Sequence, residues 1–330
     1  MKKINWGIIG CGDVTEHKSG PAFNKVPGSS LVAVMRRNEE KAADYAQRHQ
    51  VPTWYNDSHK LIHDPNVNAI YVATPPSTHK EYAIAAMKAG KPVYVEKPMA
   101  LNYAECEEMN KISAKTGVPL FVAYYRRQLP GYLKVQELIS QGRIGDVRLV
   151  NIRMYSPPKP GDMNIKDVPW RITPEISGGG HFVDLASHQL DYLDYLFGPV
   201  EKAAGYSFNQ AQLYRAEDVV AGSMMFESGA LCSGVWTFTT SAAIEKDEIE
   251  IVGSKGKIVF STFDFSPIKL QSESGDEEFE NVRPEHVQKP LIEMMVKSLQ
   301  GNGECVSTGV SAARTTWVMD KMVSDYLKLV

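Results

Sequence analysis

Cysteine is scarce in this 330-residue chain, and the four present, at positions 11, 106, 232 and 305, stand far apart. There is no Cys-x-x-Cys and no histidine at metal spacing to any of them. Neither a disulfide framework nor a zinc site is indicated, no metal is expected, and a reducing cytoplasm is the expected setting. Excess charge of either sign is also missing: 36 Lys+Arg against 39 Asp+Glu leave −3 at pH 7. That balance gives no footprint for nucleic acid or for an acidic membrane surface. No apolar run approaches the roughly 18 residues a membrane helix needs. The opening Met1-Lys-Lys-Ile-Asn-Trp-Gly-Ile-Ile-Gly-Cys11 looks briefly like a lipoprotein signal, but its apolar stretch is shorter than the roughly 7–15 residues such a segment requires. Internal repeats and low-complexity tracts are lacking too. The acidic run Asp276, Glu277, Glu278, Glu280 reads as a solvated loop. What remains is an ordinary globular composition at a length that suggests about two domains.

From the start of the chain, Asn5–Ile9 is a short apolar strand that runs directly into Gly10-Cys11-Gly12-Asp13-Val14-Thr15. Glycine at the first two positions of such a turn permits a tight bend and lets the backbone approach a pyrophosphate. The N–H groups of the following helix then face the anion. The third position is Thr15, where Gly or Ala is usual, so the match is partial. A second strand, Leu31–Met35, follows at the distance a βαβ unit requires, and that context supports dinucleotide binding by Gly10 to Val14. Past this strand stand Arg36-Arg37-Asn38, with no carboxylate before Glu39. An acidic residue here favours NAD, whereas arginine accommodates the 2′-phosphate of NADP, so Arg36 and Arg37 read as an NADP clamp. The alternative is one arginine stacked on the adenine face, which NAD also allows.

The alternation continues with a helix over Glu39–His49, a buried strand over Asn68–Ala73 and a helix reaching Ala89. Ser77 or Thr78 would cap that helix and Gly90 would stop it. Thr74-Pro75-Pro76 before it suits a rigid loop under a cofactor, and equally a plain turn. Val93–Val95 is then a short strand ending in Glu96-Lys97-Pro98. The carboxyl ends of parallel strands open into the crevice where ligands sit, so Lys97 stands at an active-site edge, or else Glu96 and Lys97 are a surface pair closing a strand. A helix over Ala104–Thr116, a strand over Leu120–Tyr124 and the pair Arg126-Arg127 follow; these arginines either face substrate or are surface charges. Strand and helix in repeated turn argue a doubly wound parallel sheet, a domain of residues 1–123 followed by a second of 124–330.

The second half opens with a helix over Tyr132–Ser140, an alternating strand over Gly145–Tyr155 and a Pro- and Gly-rich loop, Ser156–Gly161. Trp170-Arg171 precede Ser177-Gly-Gly-Gly180 and then a helix, His181–Phe197. At 100° per residue, Phe182, Leu185, Ala186, Leu190, Leu193 and Leu196 share one face, while His181, Asp184, His188 and Asp191 gather on the other. Asp184 and His188 are four apart, so their side chains can meet. A carboxylate beside an imidazole raises its proton affinity and orients it, as a general acid/base needs. An exposed polar stripe on an amphipathic helix would give the same spacing. The triple glycine, which permits close backbone approach, argues for a cleft. After Lys202 come β-rich runs, Val219–Phe226, Ala230–Thr239, Glu248–Val252 and Lys257–Phe260, with hairpin turns at 227–229 and 253–256. Helices near Val287–Leu299 and Ala312–Leu327 close the chain.

With Gly7-Ile-Ile-Gly-Cys-Gly-Asp-Val14, Ala73-Thr-Pro-Pro-Ser-Thr-His79 and Val95-Glu-Lys-Pro98, the chain resembles, over essentially its whole length, the glucose–fructose oxidoreductase / inositol dehydrogenase (Gfo/Idh/MocA) family. The resemblance implies an N-terminal Rossmann domain and a C-terminal α/β domain on a large, mostly antiparallel open sheet, whose last helices can pack back on the first domain. It implies that Lys97 lies beside nicotinamide and substrate and that its bond to Pro98 is often cis. Thr74, Pro75, His79 and Glu96 join Gly10, Cys11, Gly12, Asp13, Val14, Arg36, Arg37 and Lys97 as cofactor-side residues. By the Gly-Gly-Gly, Asp, His pattern, Lys97, Asp184 and His188 would be catalytic, with Trp170, Arg171 and His181 as further substrate contacts. The function implied is NADP-dependent, alternatively NAD-dependent, hydride transfer on a sugar, polyol or related hydroxy/keto compound. A homodimer or tetramer would form through the C-terminal sheet, with exposed Trp236 and Phe238 in its face. Two alternatives stay open: a redox-neutral NAD-dependent glycosidase and a dinucleotide-binding regulator without turnover.

Overall fold

The computed structural model describes residues 3–164 and 166–327, with side chains as far as Val323. The chain divides into two compact units, Met1–Arg127 with Pro284–Ala313, and Gln128–Arg283 with Arg314–Val330.

In the first unit, β1 (Ile4–Ile9), β2 (Ser29–Met35), β3 (Thr53–Tyr55), β4 (Ala69–Val72), β5 (Val93–Val95) and β6 (Leu120–Val122) form one sheet. Its order is β3-β2-β1-β4-β5-β6 and every neighbouring pair is parallel. β4, β5 and β6 are buried at every residue, as strands covered by helices on both faces must be. The strand order reverses between β1 and β4, and in such sheets the crevice at that reversal takes the ligand. The short β3 was not among the expected strands; three residues leave too little pattern to read.

Local chemistry sets the helix ends. Asn38 accepts from Lys41 N–H at 2.8 Å and starts Glu39–Arg48, and Asn102 accepts from Glu105 N–H at 3.0 Å and starts Tyr103–Thr116. The helix His79–Lys88 departs from expectation, because neither Ser77 nor Thr78 caps it with a side chain. The Thr78 hydroxyl instead donates to Thr74 Oγ1 at 2.8 Å, tightening the 3₁₀ turn Pro76–Thr78. Arg126 and Arg127 are neither surface charges nor exposed. Arg127 donates to the Val306 carbonyl and, at 3.2 Å, to Ser311 Oγ, so it ties β6 to the returning segment 284–313.

In the second unit, β7 (Val147–Tyr155), β8 (Val200–Phe208), β9 (Val219–Phe226), β10 (Leu231–Thr237), β11 (Lys246–Gly253), β12 (Gly256–Phe260), β13 (Ile268–Ser272) and β14 (Gly275–Phe279) make an eight-stranded sheet. Its order is β14-β13-β12-β11-β7-β10-β9-β8, and only the β7–β10 pair is parallel. The expected large, mostly antiparallel sheet is what the chain builds. Two expectations fail here. Asp276 to Glu278 are not loop but lie in the edge strand β14, where exposed carboxylates discourage pairing with another chain. Trp236 and Phe238 are buried, at 0% and 1%, not exposed: β10 turns Trp236 inward, against Phe182, and shows Leu231 and Val235 on its other face.

Candidate functional site

The first unit builds a nucleotide cradle at the strand reversal. Gly10 has φ +93°, a backbone setting in which a side chain is strained, and a Cβ there would lie 2.6 Å from Thr74 Cγ2 and 2.9 Å from Thr74 N. Glycine therefore lets the loop after β1 and the loop after β4 touch. At Gly12 a Cβ would meet nothing nearer than the Gly10 carbonyl at 4.0 Å, so the space beside this peptide is open to a ligand. The helix Asp13–His17 begins directly after it. First-turn N–H groups lack intrahelical partners and suit an anion. Thr15 fits the third position because its hydroxyl is satisfied at once, donating to the Gly12 carbonyl at 2.7 Å. These observations fit a dinucleotide pyrophosphate.

Arg36 follows β2 and its Nη1 donates to the Cys11 carbonyl at 3.3 Å, so its guanidinium lies against the Gly-rich loop; Arg37 is exposed beside it. The Cys11 side chain is buried, which pushes its thiol up to about 11 and leaves only its backbone for a cofactor. Thr74 and Pro75 lie in the loop after β4, partly exposed.

Two residues expected near the cofactor do something else. His79 is fully buried, and its Nε2 and Nδ1 lie 2.7 and 3.1 Å from the carbonyls of Thr74 and Pro98. The neutral ring has one N–H to donate to one of these carbonyls, and wedged between them His79 braces the loops after β4 and β5. Burial lowers its pKa. Glu96 is also buried: its Oε1 accepts from the Tyr71 hydroxyl and, at 2.7 Å, from Gln288 Nε2, while its Oε2 accepts from the Lys97 N–H at 3.2 Å. Tyr94 donates to Gln288 Oε1 at 2.8 Å and completes the network. Glu96 thus holds the backbone of Lys97. The Lys97–Pro98 bond is cis and Lys97 is half-buried.

In the second unit the helix spans His181–Phe197 as expected, but its polar residues do not face solvent. His188 and Asp191 are buried and Asp184 is nearly so, which excludes the exposed-stripe reading. Arg171 Nε stands 3.4 Å from Asp184 Oδ2, and its guanidinium lies over the Trp170 ring at 4.3 Å. The structure therefore brings Trp170, Arg171 and Asp184 together. His181, expected as a substrate contact, is buried with Nε2 2.9 Å from Asp162 Oδ2 and its ring against Tyr214 and Phe238. Burial and the Lys159 charge lower its pKa, against the pull of Asp162. It is a bridge between helix and loop.

Besides Gln288, two residues beside this helix went unnoticed in the sequence. Asp162 is one. The other is Glu217, fully buried, whose Oε1 accepts from the Gly180 N–H at 2.9 Å. Only their spacing from the helix could have pointed to them, and that spacing is set by the fold.

Residues 4–124 match the model of the oxidoreductase family with an NAD-binding Rossmann fold, and residues 132–259 match the GFO/IDH/MocA C-terminal domain. The chain belongs to the Gfo/Idh/MocA oxidoreductase family. Within that family it is 42% identical over 318 residues to Oxidoreductase P35 of Formosa agariphila, covering 96% of this chain and 98% of that one. It is 31% identical to the myo-inositol 2-dehydrogenase of Thermotoga maritima, covering 82% and 79%. Among solved structures, levoglucosan dehydrogenase in complex with NADH and L-sorbose shares the fold at TM-score 0.89 and 22% identity, over 99% of this chain and 98% of that one. As a Gfo/Idh/MocA oxidoreductase, the chain uses its first unit to bind a nicotinamide dinucleotide. Among the described residues no cluster suited to a metal ion occurs, and no helix is long and apolar enough to cross a membrane.

Proposed function

We propose that this oxidoreductase interconverts a hydroxyl and a carbonyl on a sugar or polyol, with NADP preferred over NAD. The substrate class is supported by the names of relatives, a myo-inositol 2-dehydrogenase and a 1,5-anhydro-D-fructose reductase. The observation that carries the reading is a buried imidazole, His188, one helical turn from the carboxylate of Asp184 inside a member of this family. A bound nicotinamide supplies the hydride chemistry. The chain's own residues have the proton and the developing oxyanion to manage. Lys97 of the first unit and His188 of the second are the candidates for the group that hydrogen-bonds the substrate oxygen and moves its proton. Asp184 orients His188, and Arg171 in turn fixes Asp184 while Trp170 backs Arg171. The NADP preference rests on Arg36 against the Gly-rich loop, Arg37 beside it, and the lack of a carboxylate at the end of β2.

A dimer through the open face of the eight-stranded sheet is part of the same proposal. Tyr206, Phe208 and Leu231 are 82%, 57% and 55% exposed there, and Leu231 lines a groove of about 470 Å³ together with Leu149 and Met225. Four buried free thiols suit a reducing compartment, and we place the protein in the cytoplasm.

The test is a panel of keto- and aldo-sugars and polyols, including myo-inositol and 1,5-anhydro-D-fructose, followed by absorbance of NADPH and NADH. Turnover with NADPH on at least one member is expected. Release of nitrophenol from an aryl glycoside without net change in NADPH would make the protein a glycosidase instead. Tight dinucleotide binding without any turnover would make it a regulator.

A further inference from the structure

The helix that carries Asp184 and His188 begins at Gly180, a position with no side chain to cap it. The cap comes from 37 residues downstream, where Glu217 Oε1 takes the Gly180 N–H at 2.9 Å. The fit leaves no slack. A Cβ on Gly180 would lie 2.8 Å from Ala216 Cβ and 2.9 Å from the Glu217 carbonyl, and a Cβ on Gly179 would lie 2.5 Å from Val183 Cγ2. These contacts give the triple glycine a packing reason. Glu217 has no solvent exposure, and its second oxygen, Oε2, has no hydrogen-bond partner among the described residues. An incompletely satisfied buried carboxyl costs stability, and such a cost is tolerated where the group does something specific.

We infer that Glu217 is a positioning residue: by capping the helix His181–Phe197 from the loop that leads into β9, it sets the first turn and so the placement of Asp184 and His188. The inference rests on the proposed roles of those two residues. Burial pushes the Glu217 carboxyl up to about 7, against lowering by its own N–H and that of Gly180, while Asp218 adds repulsion. The other titratable groups on the first turn of that helix are His181, engaged by Asp162, and Asp184, 3.4 Å from Arg171 Nε. At neutral pH the cap is therefore poised between acid and carboxylate. As pH rises through 7 the carboxyl ionises in a dry site, and its hold on the helix changes.

Three variants of the full-length protein test this, assayed with NADPH and the best substrate of the panel. Glu217→Gln keeps a carbonyl for Gly180 and removes the proton; Glu217→Ala and Glu217→Asp remove the reach. The Ala and Asp variants should lose about tenfold or more in kcat, as sub-ångström misplacement does, with less than about twofold change in KM for NADPH. The Gln variant should retain kcat within about threefold and lack the inflection near pH 7 expected of wild type. Amide exchange at Gly180 should stay slow in Gln and become fast in Ala and Asp. Unchanged kcat in a folded Ala or Asp variant overturns the inference. So does a Gln variant with the wild-type pH profile, a comparison that stands even if Ala and Asp fail to fold. His188→Ala, run in parallel, tests the underlying roles separately: retained turnover there refutes them, while Gly180 exchange still reports on the cap.

Discussion

Gln288 donates its amide to Glu96 Oε1 at 2.7 Å, joining two residues 192 positions apart within the first unit. Glu96 in turn receives the Lys97 N–H, so a glutamine near the end of the chain braces the backbone of the lysine at the end of β5. Replacing Gln288 by leucine leaves a buried Glu96 oxygen and the Tyr94 hydroxyl short of partners. An unsatisfied buried group costs about 1–3 kcal/mol. Urea denaturation should show a loss of that size for Gln288→Leu. No loss would mean that water takes over the glutamine's role.

This pairing also shows why part of the site was hidden in the sequence. β1, the Gly10–Gly12 turn, β5 and the helix His181–Phe197 were legible because each is a local pattern: a run, a turn, a 3.6-residue period. Gln288, Asp162 and Glu217 have no local signature. Their functions come from burial and from partners 192, 19 and 37 residues away. Tertiary placement likewise moved His79 and His181 from expected ligand contacts to internal braces. Trp236 was misjudged because strand alternation fixes only that neighbours face opposite ways, and the inward face is chosen by packing on Phe182.

Lys97 is the ammonium proposed for the substrate oxygen. Lys97→Ala should reduce kcat at least about a hundredfold, the range for losing a positioned proton donor. Dinucleotide affinity, measured by fluorescence quenching of added NADPH, should change little. Near-normal turnover in this variant would remove the lysine from the chemistry.

Arg36 and Arg37 are proposed to read the 2′-phosphate. Their joint replacement by alanine should raise KM for NADPH about tenfold or more while leaving NADH within about twofold, since a charge-assisted contact is worth roughly 1.5–3 kcal/mol. Equal damage to both cofactors would show the arginines acting on the common adenosine.

His79 and His181 are both kept neutral by burial, with pKa values lowered from 6.5. The unfolded chain takes up protons as pH falls through 6.5, and the folded chain resists. Their contribution is thus present above 6.5 and is lost as pH falls toward the folded values. Glu217 acts with the opposite sign: its raised pKa makes stability fall as pH rises from 4.5 to about 7. The two trends overlap, so the histidine effect should be measured in the Glu217→Gln background. There, urea midpoints should drop between pH 7.5 and 5.5, and His79→Gln should flatten the drop while lowering stability at pH 7.5. A midpoint that does not move with pH would show that neither imidazole stays neutral in the fold.

The proposed dimer face can be broken without touching the core. Tyr206 and Phe208 project from β8, the edge strand of the eight-stranded sheet, and Leu231 lies on the same face of the sheet. Substitutions on exposed positions usually change stability by no more than about 0.5 kcal/mol. A charge buried in a subunit interface is far more costly. Tyr206→Asp with Leu231→Asp should therefore leave the melting temperature nearly unchanged while shifting the mass in light scattering from dimer to monomer. Placing aspartate at Trp236, which packs inward on Phe182, should instead prevent folding. A double variant that keeps the dimer mass would move the interface off this face of the sheet.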